Sequence, residues 1–167
     1  MLFRSWQATF SADGARRAGL AGDGLLLSRT QPRPEGEHAR PLHELQLPII
    51  DAYLEALPEG TAPRILASRT ALVVDPEHRT LALERAEPGL RSLAALQPGF
   101  DAERASLQEL IEVTDTHVGT VEEVAASLQA DAALPRVTDV SFQVHSDRKS
   151  TRLNSSHWLQ SRMPSSA

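Results

Sequence analysis

"WQATFSADGARRAGLAGDGLLLSR", residues Trp6 to Arg29, decides the fold. It opens with Trp6 to Phe10, a short run of β-favouring residues. Ser11 follows as a natural helix N-cap, an Ala- and Arg-rich body continues, and Gly22 supplies a natural stop. Leu25 to Leu27 then form a continuous apolar run bounded by Gly24 and Ser28, which suits a strand buried on both faces. Strand, helix and strand in so short a span make a βα unit, and such units build parallel sheets.

The chain repeats this alternation. Thr30 to Glu44 reads as a loop, with Pro32, Pro34, Gly36 and Pro41 and no hydrophobic period. Pro48 suits the first turn of a helix whose apolar face is Ile50, Tyr53, Leu54 and Leu57. "RILASRTALVV", Arg64 to Val74, is the longest strand candidate. A helical region from about Glu77 to Leu96 is expected to break at Pro88 and Gly89. A second helix is expected with Asp101 as cap and Leu107, Leu110 and Ile111 as its apolar face. Thr120 with Glu123 three residues later spells a capping box, and Val124, Ala125 and Leu128 follow on one face. Val140, Phe142 and Val144 alternate with polar residues in a last strand. Four strands are legible, separated by helices, and the fold class is α/β.

The 167 residues fit one domain of ordinary size. The chain has no cysteine, which excludes disulfides and thiolate metal sites. No apolar run is long enough to span a membrane, and no charged-then-apolar leader is visible. The net charge of −5 argues against a general nucleic-acid surface. A soluble, cytoplasmic protein with no membrane or nucleic-acid partner is the expectation.

The two ends belong to another composition. Residues 147–167 hold Arg148, Lys149, Arg152 and Arg162 against the single acid Asp147, and Lys149 is the only lysine in the chain. In one codon spelling, Asp147 to His157 and Ser161 to Ala167 resemble the adapter ligated to DNA fragments for short-read sequencing. Leu2 to Ser5 resemble the reverse-complement stem of the same oligonucleotide. Residues 1–5 and 147–167 are therefore expected to be adapter-derived, with 147–167 disordered, and 6–146 to be an internal piece of a longer protein.

Within 6–146 no dinucleotide fingerprint, P-loop, nucleophile elbow or H-E-x-x-H motif occurs. The cluster "GLAGDG" reads as a helix-to-strand turn. His38 and His43 fall in the Pro-rich stretch and read as solvated side chains. Asp115 and His117 in "DTH" are two candidate metal ligands without a third. Ser11 is the best chemical candidate. Where a strand passes into a helix, its hydroxyl and the N–H groups of Ala12 and Asp13 can converge on a phosphate. The charge of Asp13 counts against this, and a plain N-cap is the competing reading.

At these residues the sequence resembles a known family. "WQATFSADGARRAG", "GDGLLLSRTQPRP", "PIIDAYLEALPEG", "PRILASRTALVV", "HVGTVEEVAASL" and "RVTDVSFQVHS" look like consecutive blocks of a luciferase-like, FMN-dependent monooxygenase. The resemblance covers nearly all of 6–146. It implies a (β/α)8 barrel of TIM type, of which this piece would hold roughly the last four βα units and lack the closing helix. The strand-end residues that face the flavin and the substrate would lie in the missing first half, so the piece alone would be inactive and its catalytic residues unknown.

The family's phosphate-contacting serine, in a Q-A-x-x-S pattern, maps onto Ser11, with Thr9, Phe10 and Ala12 in the same turn. The implied cofactor is FMN, and the implied reaction uses reduced FMN and O2 to oxygenate a small organic substrate. A homodimeric parent is left open. The barrel rule places the loop from Ser28 and the strand end near His145 at the site; Arg29 is a candidate anion contact, with a plain surface arginine as the favoured reading. Arg69 within its strand is expected to pair with an acid of the intact barrel. A deazaflavin-dependent oxidoreductase on the same barrel and a non-catalytic flavin-binding or interaction protein are the alternatives.

Overall fold

β3 (Ile65–Val73) is the trunk of a parallel sheet. The computed structural model describes residues 5–144. The elements before the trunk are β1 (Trp6–Ala8), α1 (Ala12–Leu20), β2 (Gly24–Leu27) and α2 (Leu42–Ala56). After it come a 3-10 turn (Pro76–His78), α3 (Arg79–Ala94), α4 (Leu107–Val113), β4 (Thr116–Gly119), α5 (Val121–Gln129), a second 3-10 turn (Leu134–Arg136) and β5 (Asp139–Val144). The expectations for 1–4 and 145–167, including His145 and the adapter-like tail, fall outside the described residues.

Every pairing is parallel. At Leu66 and Ala67 the trunk is flanked by β2 and β5, and at Thr70 and Ala71 by β4 and β5. A strand has two edges, so β2 and β4 share one edge of β3 and β5 takes the other. The winding is therefore β1–β2–β3–β5, four parallel strands joined through helices, as in part of a TIM-type barrel. β4 belongs to an excursion with α3 and α4, inserted between β3 and its crossover helix α5. It pairs with the part of β3 that β2 is too short to reach.

The two sheet faces differ. Leu25, Leu27, Ile65, Ala67 and Val140 point to the face covered by the crossover helices and pack with Ala15 and Ala18 of α1 and Ile49, Ile50 and Tyr53 of α2. Tyr53 also donates from its hydroxyl to the Asp23 carbonyl at 2.8 Å, which satisfies its polar end. The alternate residues Leu26, Leu66, Ser68 and Ser141 point the other way and stay only partly covered. Near the strand ends α3 and α4 fold onto this second face, where Leu72 and Val74 join Ala86, Leu90, Ala94, Leu110 and Val113 in a second core.

Several boundaries differ from expectation. α2 starts at Leu42, and Pro48 lies inside it. Pro41 offers no capping side chain; instead the Asp115 carboxylate, far away in sequence, accepts the Leu42 N–H at 2.7 Å. α3 runs unbroken through Pro88 and Gly89. A helix-interior proline costs about 3 kcal/mol, and the burial of Ala86, Leu90 and Ala94 on either side of it offsets that. α4 is capped by Ser106 and Glu109 in a reciprocal capping box rather than by Asp101, whose carboxylate accepts from Arg104 N in a separate turn. β4 was not legible, because four residues with one sizeable apolar side chain, Val118, carry little strand signal. The Ser11 cap, the Gly22 stop at φ 69° and the Thr120–Glu123 capping box are as expected.

The charge on β3 is internal. Arg69 is fully buried on the helix side and donates from Nε to Asp131 Oδ2 at 2.6 Å. Its expected acid partner thus lies in this chain, in the turn after α5. Asp131 Oδ1 also accepts from Ala133 N at 2.9 Å. Asp131→Ala would leave the guanidinium buried and unpaired. The expected loss of unfolding free energy is about 3–5 kcal/mol by urea titration. The double replacement Arg69→Met with Asp131→Leu should recover most of it; a single mutant as stable as wild type would show that the pair does not hold β3 to this turn.

Candidate functional site at the strand ends

Thr9, Phe10, Ser11 and Ala12 form one turn at the C-terminal end of β1. Ser11 has extended backbone (φ −134°, ψ 151°), and its Oγ accepts the Gly14 N–H at 3.1 Å. The first N–H groups of a helix have no intrahelical acceptor, which leaves those of Ala12 and Asp13 directed past the cap. Thr9 Oγ1 accepts the Ser11 N–H at 3.2 Å and lies 3.4 Å from Ser11 Oγ. This packing needs a glycine at 14, since a Cβ there would come within 2.0 Å of Thr9 Oγ1. The Asp13 carboxylate is held by Arg16 Nη1 at 2.9 Å, which offsets its charge. Phe10 is 53% exposed, and Ala12 packs against the core beneath.

β2 delivers Ser28, Arg29 and Thr30 to the same end of the sheet. Ser28 Oγ and Thr30 Oγ1 are 2.8 Å apart. Gln46 of α2 donates to the Ser28 carbonyl at 3.0 Å and fixes the strand exit. Arg29 Nη1 donates to Thr70 Oγ1 of β3 at 3.3 Å. Ser68 and Ser141 face each other across β3 and β5 with their hydroxyls 2.8 Å apart. These hydroxyls were missed at the level of sequence. Their signal was the small polar residue at every second place in "LASRT" and "DVSFQV", which puts a polar row on one sheet face.

The Pro-rich stretch after β2 is anchored rather than loose. Gln97 accepts from Arg33 N at 2.9 Å and donates to the Gln31 carbonyl at 3.2 Å. Arg33 Nε donates to the Arg40 carbonyl at 2.9 Å, and Arg33 Nη2 lies 3.7 Å from Asp115 Oδ2. His38, expected to be solvated, meets the Pro98 carbonyl at 2.9 Å and the edge of Phe100. Asp115 is spent on α2 and Arg33, and the His117 ring turns away to Ser127 Oγ at 2.7 Å. The two side chains of "DTH" are thus engaged by different partners, and no group of three metal-capable side chains occurs among the described residues. A cleft of about 590 Å³ opens between α3, α4 and β4, walled in part by Leu83, Leu107, Ile111 and Val118. It is separate from the β1 turn, whose residues do not line it.

His117 lies beside the Arg69–Asp131 pair. Burial pushes its pKa below the ordinary 6.5, with Asp115 and Asp131 pulling it back up and Arg69 adding to the depression. Burial also opposes ionisation of Asp131, but the Arg69 hydrogen bond and charge outweigh it and hold the carboxyl below the ordinary 3.8.

No family model and no curated protein matches the chain. Among solved structures it is similar to the crystal structure of monooxygenase RslO1 from Streptomyces bottropensis, with a TM-score of 0.51 and 22% sequence identity. The likeness covers 85% of this chain and 40% of that one, so this chain spans less than half of that structure's length. At this identity the likeness shows the fold. No helix among the described residues is long and apolar enough to cross a membrane.

The buried imidazole has a measurable consequence. A histidine whose folded pKa is lowered stabilises fully above its unfolded value of about 6.5 and loses that contribution as pH falls toward the folded pKa. The melting temperature should therefore fall between about pH 7 and pH 5. His117→Gln should flatten that decline while leaving the Asp131-linked loss at lower pH. An identical slope in both proteins would place His117 outside the titrating set.

Proposed function

We propose that this chain is the C-terminal part of a luciferase-like, FMN-dependent monooxygenase that oxygenates a small organic substrate. The six sequence blocks support this reading, and so does the partial barrel fold. The similar solved structure is itself named a monooxygenase, which favours oxygenase chemistry. The observation that carries the cofactor assignment is the turn at Ser11. Its Oγ already accepts from Gly14, so its O–H remains to donate, beside the N–H groups that open α1. Such a turn fits a phosphate, because the helix N-terminus favours negative charge and supplies donors together.

In this reading Ser11 and the Ala12 and Asp13 N–H groups hold the FMN phosphate. Thr9 keeps the Ser11 backbone in place through its hydroxyl. Arg16 draws the Asp13 carboxylate into an ion pair and lowers its repulsion of the phosphate. Phe10, exposed at the rim, is placed to cover apolar parts of the bound cofactor. Reduced FMN supplies the reaction with O2 when bound. The chain's own contribution is to bind and orient it at the C-terminal ends of the strands.

The test compares FMN with riboflavin, which lacks the phosphate, in the full-length parent and its Ser11→Ala variant. Loss of one charge-assisted hydrogen bond is worth roughly 1.5–3 kcal/mol. FMN affinity should fall about tenfold to a hundredfold, while riboflavin binds both proteins alike. An unchanged FMN-to-riboflavin preference would remove Ser11 from the cofactor site. Tighter binding of a deazaflavin than of FMN would favour the deazaflavin-dependent alternative. Flavin binding without NADH-coupled O2 consumption would favour a non-catalytic binder.

A further inference from the structure

The open face of the sheet is graded along the strands. The strand register aligns Ala8, Leu26, Leu66 and Asp139 across β1, β2, β3 and β5. Two residues further on, Ser68 pairs with Ser141, and continuing the β2 register by one residue puts Ser28 opposite Ser68. Two residues further again, Thr70 pairs with Gln143. The first row is mainly apolar, the second is three serines, and the third carries a threonine and a glutamine. Side chains in paired positions of a parallel sheet share a face, so these rows lie on one face, open at Ser68 and Ser141 and closed over Thr70, which is fully buried where α3 and α4 begin to cover it.

Arg29 closes the top of that surface. Its guanidinium binds the Thr70 hydroxyl, it is half-buried, and among the described residues no carboxylate pairs with it. The two buried arginines are engaged by acids, Arg69 by Asp131 and Arg33 by Asp115, and Arg64, at the base of the open face, stacks on the Trp6 ring. The one acid in the three rows, Asp139, accepts from Thr138 Oγ1. It stands opposite Leu66, four residues below Thr70, or about 13 Å along the strand. A single cation above a row of hydroxyls, with the nearest acid of that surface so far below, is complementary to an oxyanion carried on a small organic body.

We propose that Arg29 binds the carboxylate of the substrate, and that the substrate is a small organic acid whose uncharged part lies down the graded face toward Leu26 and Leu66. Ser28, Ser68 and Ser141 offer hydroxyls along the way. The assignment of that acid as substrate rests on the monooxygenase reading; the anion site itself does not. The carboxylate is distinct from the cofactor phosphate. Thr70 stands on β3 and Ser11 follows β1, two strands or about 10 Å across the sheet, so one phosphate does not reach both contacts.

The experiment uses the full chain, 15N-labelled, with benzoate and benzamide as matched probes and FMN and riboflavin as a second pair. Benzoate should shift the Arg29 Nε–Hε resonance and the amides of Ser68, Thr70 and Ser141 saturably, and benzamide should not. Arg29→Gln, with an otherwise unchanged dispersed spectrum, should weaken benzoate at least tenfold, and Arg29→Lys should restore part of the affinity. Benzoate binding that survives Arg29→Gln, or equal shifts from benzamide, would overturn the assignment. Shifts of the Arg29 resonance by FMN alone, with none from benzoate, would give this residue to the cofactor phosphate and overturn it as well. Benzoate binding intact with neither flavin bound would support the anion site while counting against the flavin reading.

Discussion

Arg69 and Asp131 set the geometry on which the other contacts depend. A guanidinium buried on the helix side of the longest strand costs several kcal/mol of desolvation unless it is paired and hydrogen-bonded. Asp131 supplies the charge and the Ser68 carbonyl a further acceptor. Because Asp131 sits just after α5, the pair brings the chain back to the trunk after its long excursion. Ala133 N then donates to the same carboxylate and opens the turn that leads to β5. Thr138 completes the docking, accepting from Ile65 N at 2.8 Å and donating from its own N–H to the Ile65 carbonyl at 2.9 Å. The register of β5 on β3 follows, and with it the alignment of Ser68 with Ser141.

That register separates the two faces. Parity puts Arg69 and its pair among the helices, and the same parity puts Ser68 and Thr70 on the opposite face, Thr70 fully buried there. A one-residue slip would exchange them, exposing the apolar set and burying hydroxyls without partners. The excursion after β3 adds a second constraint at the strand ends. Asp115, at φ 50°, reaches from the α4–β4 turn to the N-terminus of α2, and Gln97 reaches from the end of α3 into the stretch after β2. Three segments distant in sequence are thereby fixed around the exit of β2, where Arg29 stands. Strand-end groups held this way are fixed by packing and hydrogen bonds from other elements, the kind of support that preorganises a site.

What was legible in the sequence were the features with local causes. Ser11, Gly22 and the Thr120–Glu123 box announce themselves because capping is settled within a turn of the chain. Leu25 to Leu27 and Arg64 to Val74 read as strands because burial on a helix-covered sheet demands continuous or alternating apolar residues. The misreadings have distant causes. The start of α2 is set by Asp115, the survival of α3 through Pro88 by packing on a second core, and β4 by an edge that β2 leaves unpaired. The candidate site divides the same way. The Ser11 turn is local and was visible, whereas the contact of Arg29 with Thr70 joins residues on different strands and emerges only with the register.

The open face ties these points together. Trp6 is 41% exposed on β1, its ring stacked under the Arg64 guanidinium at 4.6 Å and pressed on Gly24, where a Cβ would meet the indole at 2.5 Å. A tryptophan so placed, with Ala8, Leu26 and Leu66 above it, leaves apolar surface that a sheet of four strands in winding order cannot bury by itself. Closure into a barrel removes such a face and the free edges together. The grading of the rows then states what closure must preserve. Apolar side chains can meet apolar side chains at the base, while the serines, Thr70 and Arg29 at the top require either polar partners or a polar ligand. A half-buried arginine and a hydroxyl row left dry on closure would be destabilising, so the strand-end layer is the part of this surface that physical chemistry reserves for something other than packing.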